Sequence, residues 1–84
     1  FVFGQVAKPG AIKLLEKDIT VIEAISMTGG FTSIASPSRT RIVRMENGME
    51  KTIYVNVNKV VKGKKSNDII LKPGDIVVVP EAFF

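Results

Sequence analysis

The 84-residue sequence contains no cysteine and no histidine. Without cysteine there is no disulfide and no thiolate metal site, and the redox compartment leaves no mark on the chain. Without histidine the commonest general base and the commonest transition-metal ligand are both missing. Long apolar runs are missing too. The longest, Ile69-Ile70-Leu71 and Ile76-Val77-Val78-Val79, have strand length, against the ~18 residues needed to span a bilayer. No G-x-x-x-x-G-K-S/T loop, G-x-S-x-G elbow, metal-ligand cluster or usefully spaced acid pair occurs. Ser26, Ser33, Ser36, Ser38 and Ser66 have no histidine to activate them. The expectation is a protein that is not an enzyme, with no catalytic residues, no metal and no cofactor.

What is present suits one small domain. The apolar fraction is 45%, in the globular range, and a chain this short buries only about 60–65% of its unfolded surface. The first residue is Phe1, so the sequence reads as a soluble domain cut from a larger protein, with any targeting signals outside it. Twelve Lys plus Arg against eight Asp plus Glu give a net charge of +4. That balance attracts anionic partners, although small domains also carry net charge for solubility. The charge is dispersed. Only Lys62-Gly63-Lys64-Lys65 clusters, among Gly, Ser and Asn neighbours that suit a solvated loop.

Along the chain, Phe1 to Ala7 is rich in β-branched and aromatic residues and predicts a first strand. Lys8-Pro9-Gly10-Ala11 supplies turn chemistry, and Ala11 to Leu15 reads as a returning strand. Thr20-Val21-Ile22-Glu23 has the spacing of a capping box. Val21, Ile22, Ala24, Ile25 and Met27 then form one apolar helical face, which Gly29-Gly30 ends. Phe31 to Ser38 is irregular, with Phe31 in the core. Arg39–Met45 and Met49–Val55 flank Asn47-Gly48, the favoured pair for a two-residue type I′ turn. That register sets Thr40 opposite Val55 and Ile42 opposite Ile53 on the core side, and Arg41 opposite Tyr54 on the other as a cation–π pair. It also sets Arg44 against Lys51, slightly unfavourable unless an anion or carboxylate lies nearby. Val57 to Lys62 suggests a helical turn. Ile69–Leu71, Lys72-Pro73-Gly74-Asp75 and Ile76–Val79 repeat a strand–turn–strand device, and the last run, apolar on both faces, predicts a central strand. One main short helix on a mixed sheet is an α+β roll.

Arg39, Arg41, Arg44, Lys51 and Tyr54 share the hairpin and form the candidate binding surface, cations for acidic groups and an aromatic face for stacking. Arg41 and Arg44 fall on opposite faces of a flat strand. Gly29-Gly30-Phe31-Thr32 lies at a helix C-terminus, where anions are disfavoured, and reads as a structural stop. Asp75 ends a turn whose backbone N–H groups it can satisfy, without the partnered acid or base that catalysis needs.

The motifs carry a resemblance. Gly4-Gln5-Val6 with Lys8-Pro9-Gly10 looks like the opening G-x-V-x-x-P-G of the SLBB (soluble-ligand-binding β-grasp) domain. Thr20-Val21 through Glu23-Ala24-Ile25 to Gly29-Gly30-Phe31-Thr32, with Ala35 beyond, is similar to its T-V-x-x-A-I-x-x-A-G-G-F-T stretch. Val43-Arg44, Asn47-Gly48 and Val55-Asn56-Val57 resemble its strand, turn and connector. Leu71 to Pro80 resembles its closing L-x-P-G-D-x-I-x-V-P. Thr28 stands where alanine is usual, and Asn56 where aspartate is. The resemblance implies a β-grasp (ubiquitin-like) roll over residues 1–80, with 81–84 starting a connection to a further domain. Gly4, Pro9, Gly10, Gly29, Gly30, Phe31, Thr32, Pro73, Gly74 and Asp75 would be its structural motif residues. The pattern is most like SLBB domains of bacterial outer-membrane polysaccharide export proteins. That implies a periplasmic location and neighbouring subunits of a homo-oligomeric ring as partners, with contact to an acidic polysaccharide or an inner-membrane partner, and no membrane span here. The alternatives are a ligand- or DNA-binding SLBB module of cobalamin-binding or DNA-uptake type, with nucleic acid the less favoured partner, and an accessory domain of a redox complex.

Overall fold

In the computed structural model, residues 1–13, 18–61 and 68–82 are described. The elements are β1 (Val2–Gly4), α1 (Val21–Met27), a 3-10 turn (Pro37–Arg39), β2 (Thr40–Glu46), β3 (Met49–Val55), α2 (Val57–Val61) and β4 (Ile76–Val79). The strands form one mixed sheet in the order β1-β4-β2-β3. β1 runs parallel to β4, and β2 is antiparallel to both β4 and β3. This is the α+β architecture the pattern predicted, a four-stranded mixed sheet with short helices compatible with a β-grasp roll.

The helix forms where its cap is. Thr20 Oγ1 accepts from the Glu23 N–H at 3.3 Å and Glu23 Oε1 accepts from the Thr20 N–H at 3.3 Å, so both halves of the capping box are made. At the other end the Gly30 N–H reaches Ile25 O at 2.9 Å and the Gly29 N–H reaches Ser26 O at 3.1 Å. These are the two bonds of a Schellman stop, with both glycines at positive φ (87° and 85°). Val21, Ala24 and Ile25 are buried, and they pack with Val2, Val6, Ile42, Val55, Val57, Val77 and Val79 in the core. Met27 departs from expectation: it is exposed, because the buried stripe runs 21, 24, 25, 28 and leaves residue 27 on the far side. Phe31 is half-buried and packs on the core from its edge.

The hairpin has the expected register, Thr40↔Val55 through Glu46↔Met49, with Asn47 at φ 54° and Gly48 at φ 77° as a type I′ turn requires. β4 is the central strand between β1 and β2. Its Val77 and Val79 are fully buried, whereas Ile76 and Val78, on the other face, are half-buried.

Three expected strands are shorter than the sequence suggests or absent among the described residues. The first is shorter than Phe1–Ala7: it ends at Gly4, whose φ of 94° breaks the ladder and whose missing Cβ lets Val79 O approach. Ahead of the expected return at Ala11–Leu15, Gly10 makes a single bridge to Val2. Residues 11–13 join no ladder; Leu14 and Leu15 lie outside the described residues. Ile69–Leu71 likewise pairs once, at Thr20↔Ile70, since its partner segment turns into the cap of α1 on one side and the Lys72–Asp75 turn begins on the other. The expected loop at 62–65 lies outside the described residues, as do Phe83 and Phe84. Hydrogen bonding continues past Pro80, through the Ala35↔Glu81 bridge and the Ala82 N–H to Ile34 O at 2.7 Å.

Candidate functional site

The hairpin side chains part company across the sheet. Arg44 lies on the inner face with Thr40 and Ile42 and is buried. Its Nη2 meets Asp75 Oδ2 at 2.7 Å, its Nε donates to Asp75 Oδ1 at 3.0 Å, and Nη2 also donates to Ile70 O at 3.2 Å. Asp75 Oδ2 further accepts from the Lys72 N–H at 2.9 Å, closing the turn in which Gly74 takes φ 89°. Each buried charge is thus bonded by a fork of donors or acceptors, the condition for a buried pair to be tolerated. Burial pushes the Asp75 carboxyl up, but the hydrogen bond from Arg44 and that from Lys72 outweigh it and hold its pKa below the ordinary carboxylate value. The same hydrogen bond to Asp75 raises Arg44 against the opposing effect of burial.

Lys51, opposite Arg44 in the register, is exposed and pairs with Glu46 at 3.7 Å. The like-charge juxtaposition is therefore resolved by a separate carboxylate for each cation, and the condition the sequence attached to this pair is met. Arg39 is exposed at the end of the 3-10 turn. Arg41 lies on the outer face, directly opposite Tyr54, which is 74% exposed. The cation–π contact expected between them does not form among the described residues. The five candidate residues thus divide into a buried ion-pair member, an inner-side surface lysine, a cation at the hairpin's foot and an outer-face pair.

The motif residues do structural work. Gln5 to Lys8 run antiparallel to Thr28–Thr32, through the Lys8 N–H to Thr28 O (2.8 Å), the Ala7 N–H to Gly30 O (3.0 Å) and the Thr32 N–H to Gln5 O (3.0 Å). Thr32 Oγ1 also donates to Gln5 Oε1 at 2.9 Å. The opening motif and the G-G-F-T stretch are therefore one knot, and a Cβ on Gly29 would come within 2.8 Å of the Ala7 side chain. The two unusual residues are satisfied locally. Buried Thr28 donates its hydroxyl to Ile25 O at 2.8 Å, and Asn56 Oδ1 accepts from the Lys59 N–H at 3.3 Å in the manner of an N-cap.

Two features were not anticipated. One is a cleft of about 270 Å³ between Phe1, Ile12 and the Leu71–Asp75 turn. It is near the small end of ligand pockets, and the buried carboxylate in its lining is already committed to Arg44. The other is the outer face of the sheet, carrying Phe1, Phe3, Arg41, Val43, Met45, Tyr54, Ile76 and Val78, none of them buried. Its apolar character was visible in the both-faced apolar run of β4; its extent depended on strand order. Among the described residues no group of three or more potential metal ligands gathers, and no helix is long and apolar enough to cross a membrane.

Among the described residues no nucleophile, base and oxyanion site come together. A family model described as the SLBB domain matches residues 1–79, almost the whole chain and all of the knotted motifs. That family comprises ligand-binding modules and is not known as a catalytic one. The ordered motifs, the mixed sheet and the match together make this chain a member of the SLBB domain family.

Proposed function

We propose that this domain is a non-catalytic part of a capsule or exopolysaccharide export protein in the periplasm, where it mediates contacts between subunits of an export ring and touches the passing acidic glycan. The observation that carries the reading is the ordered motif series from Gly4 to Pro80, which is most like the SLBB domains of polysaccharide export proteins. The exposed Arg39 and the half-buried Arg41, the latter beside Tyr54, support glycan contact, since guanidinium groups recognise carboxylates and an aromatic face accepts sugar rings. Fractionation of the native host tests it. The protein is expected with the periplasmic and outer-membrane fractions; recovery with the cytoplasm would overturn the reading.

The net charge of +4 favours a second reading, a ligand- or DNA-binding module. It predicts binding to duplex DNA that weakens steeply with salt. Absence of binding at low salt would remove it.

A further inference from the structure

The outer face of the sheet is mostly apolar, and among the described residues none on it is buried. The strand register places Phe3, Val78, Arg41 and Tyr54 in one row across all four strands. Next to it lies the row of Ile76, Val43 and Thr52, and beyond that Met45 with Glu50. Phe1 and Phe3, each 47% exposed, pack on one another with ring centroids 4.7 Å apart. A continuous face of this kind marks a contact surface.

Its charges say with what. Among the described residues of its strands, the face holds one side-chain cation, Arg41, and one side-chain anion, Glu50, and neither has an ion pair with another described residue. They lie at opposite ends, Arg41 opposite Tyr54 and Glu50 opposite Met45, with the Val43↔Thr52 pair midway. Four residues of strand separate the two levels by about 13 Å. A surface with plus at one end, minus at the other and apolar groups between is complementary to itself after a half-turn. An acidic polymer would find its favourable contact at Arg41 and a repulsive one at Glu50.

We propose that this face docks onto the same face of a second copy of the domain, about a two-fold axis lying between the sheets and crossing the strands at the Val43–Thr52 level. Each Arg41 then meets Glu50 of the partner subunit, and Phe1, Val43 and Ile76 pack near the axis as in an aligned sheet sandwich. The patch measures roughly 15 by 20 Å from strand spacing and rise, smaller than the ~800 Å² per partner of a standard interface. The dimer is accordingly weak and reversible. The contact is isologous, whereas a ring is closed by heterologous contacts, so it is separate from the ring contacts proposed above; it does cover Arg41 and Tyr54, which are open to a glycan only in the monomer.

Sedimentation equilibrium of the 84-residue chain, from roughly micromolar to millimolar concentration, tests it. The wild type is expected to pass from monomer to dimer. Arg41→Glu and Glu50→Arg should each weaken dimerisation by about tenfold or more, by setting like charges together at two symmetric places. The double exchange should restore it to within about threefold, as the pairing is regenerated. Far-UV circular dichroism and melting of each variant verify the fold; should either charge reversal unfold the chain, Arg41→Gln and Glu50→Gln carry the same test. A chain that stays monomeric throughout, a dimer indifferent to the single exchanges, a double exchange as weak as the singles, or association that appears only when an acidic polysaccharide is added would each overturn the proposal.

Discussion

Arg44 and Asp75 meet 31 positions apart in the chain and share a buried, multiply bonded ion pair. A carboxyl whose folded pKa lies below its unfolded value of about 3.9 adds stability above that pH and loses it as pH falls through the lower folded value. Asp75 is such a group. The wild type should therefore lose stability on acidification below about pH 4 more steeply than Asp75→Asn, measured by urea unfolding between neutral and acid pH. At neutral pH the variant should be less stable by roughly 3–5 kcal/mol, because it leaves the Arg44 charge buried without its counter-ion. Parallel pH profiles would show that the pair is not linked to folding. Half of this pair was readable in the sequence. The register set Arg44 against Lys51, unfavourable unless an anion or carboxylate lay nearby, and offered Arg44 for the binding surface; that it is buried and that Asp75 supplies the carboxylate depend on β4 lying beside β2, a long-range fact with no local signal. Asp75 was read as a turn residue, and it does hold the Lys72 N–H, so one side chain serves both purposes.

Among the elements, those with complete local chemistry were legible and those dependent on a partner were not. The capping box, the paired glycines and Asn47-Gly48 each specify a backbone shape within a few residues, and α1 and the hairpin follow. The segments at 11–13 and 69–71 read as strands from their side chains, but the first makes no bridge and the second only one, beside the α1 cap. The α1 cap gives a direct measurement. Thr20→Ala removes the acceptor for the Glu23 N–H and should cost about 1 kcal/mol, a drop of several degrees in melting temperature for a domain of this size. Because seven residues are too few to hold a helix alone, the loss should appear as global unfolding in one transition. Separate melting of the helix signal ahead of the sheet would contradict the view that packing holds α1.

For the whole molecule, the division is between an inner face that satisfies its own needs and an outer face that does not. The inner side buries the helix stripe, the apolar alternates of four strands and one paired charge. Four of the five side chains offered from the sequence as a binding surface remain at least partly accessible, but only Arg41 and Tyr54 face outward together. The sequence could not group them correctly, since patch membership depends on strand order and on which cation the core recruits. It did carry the family, because the motifs are the turns, stops and close approaches that the fold itself requires.

The most direct test of the functional account is the amount of surface polysaccharide made by the native host when residues 1–80 are deleted in frame from the parent gene. The account predicts loss of polymer at the surface with polymer retained inside the cell, and recovery when the intact gene is returned. Unchanged surface polysaccharide, with the truncated parent protein present at its normal level, would contradict it.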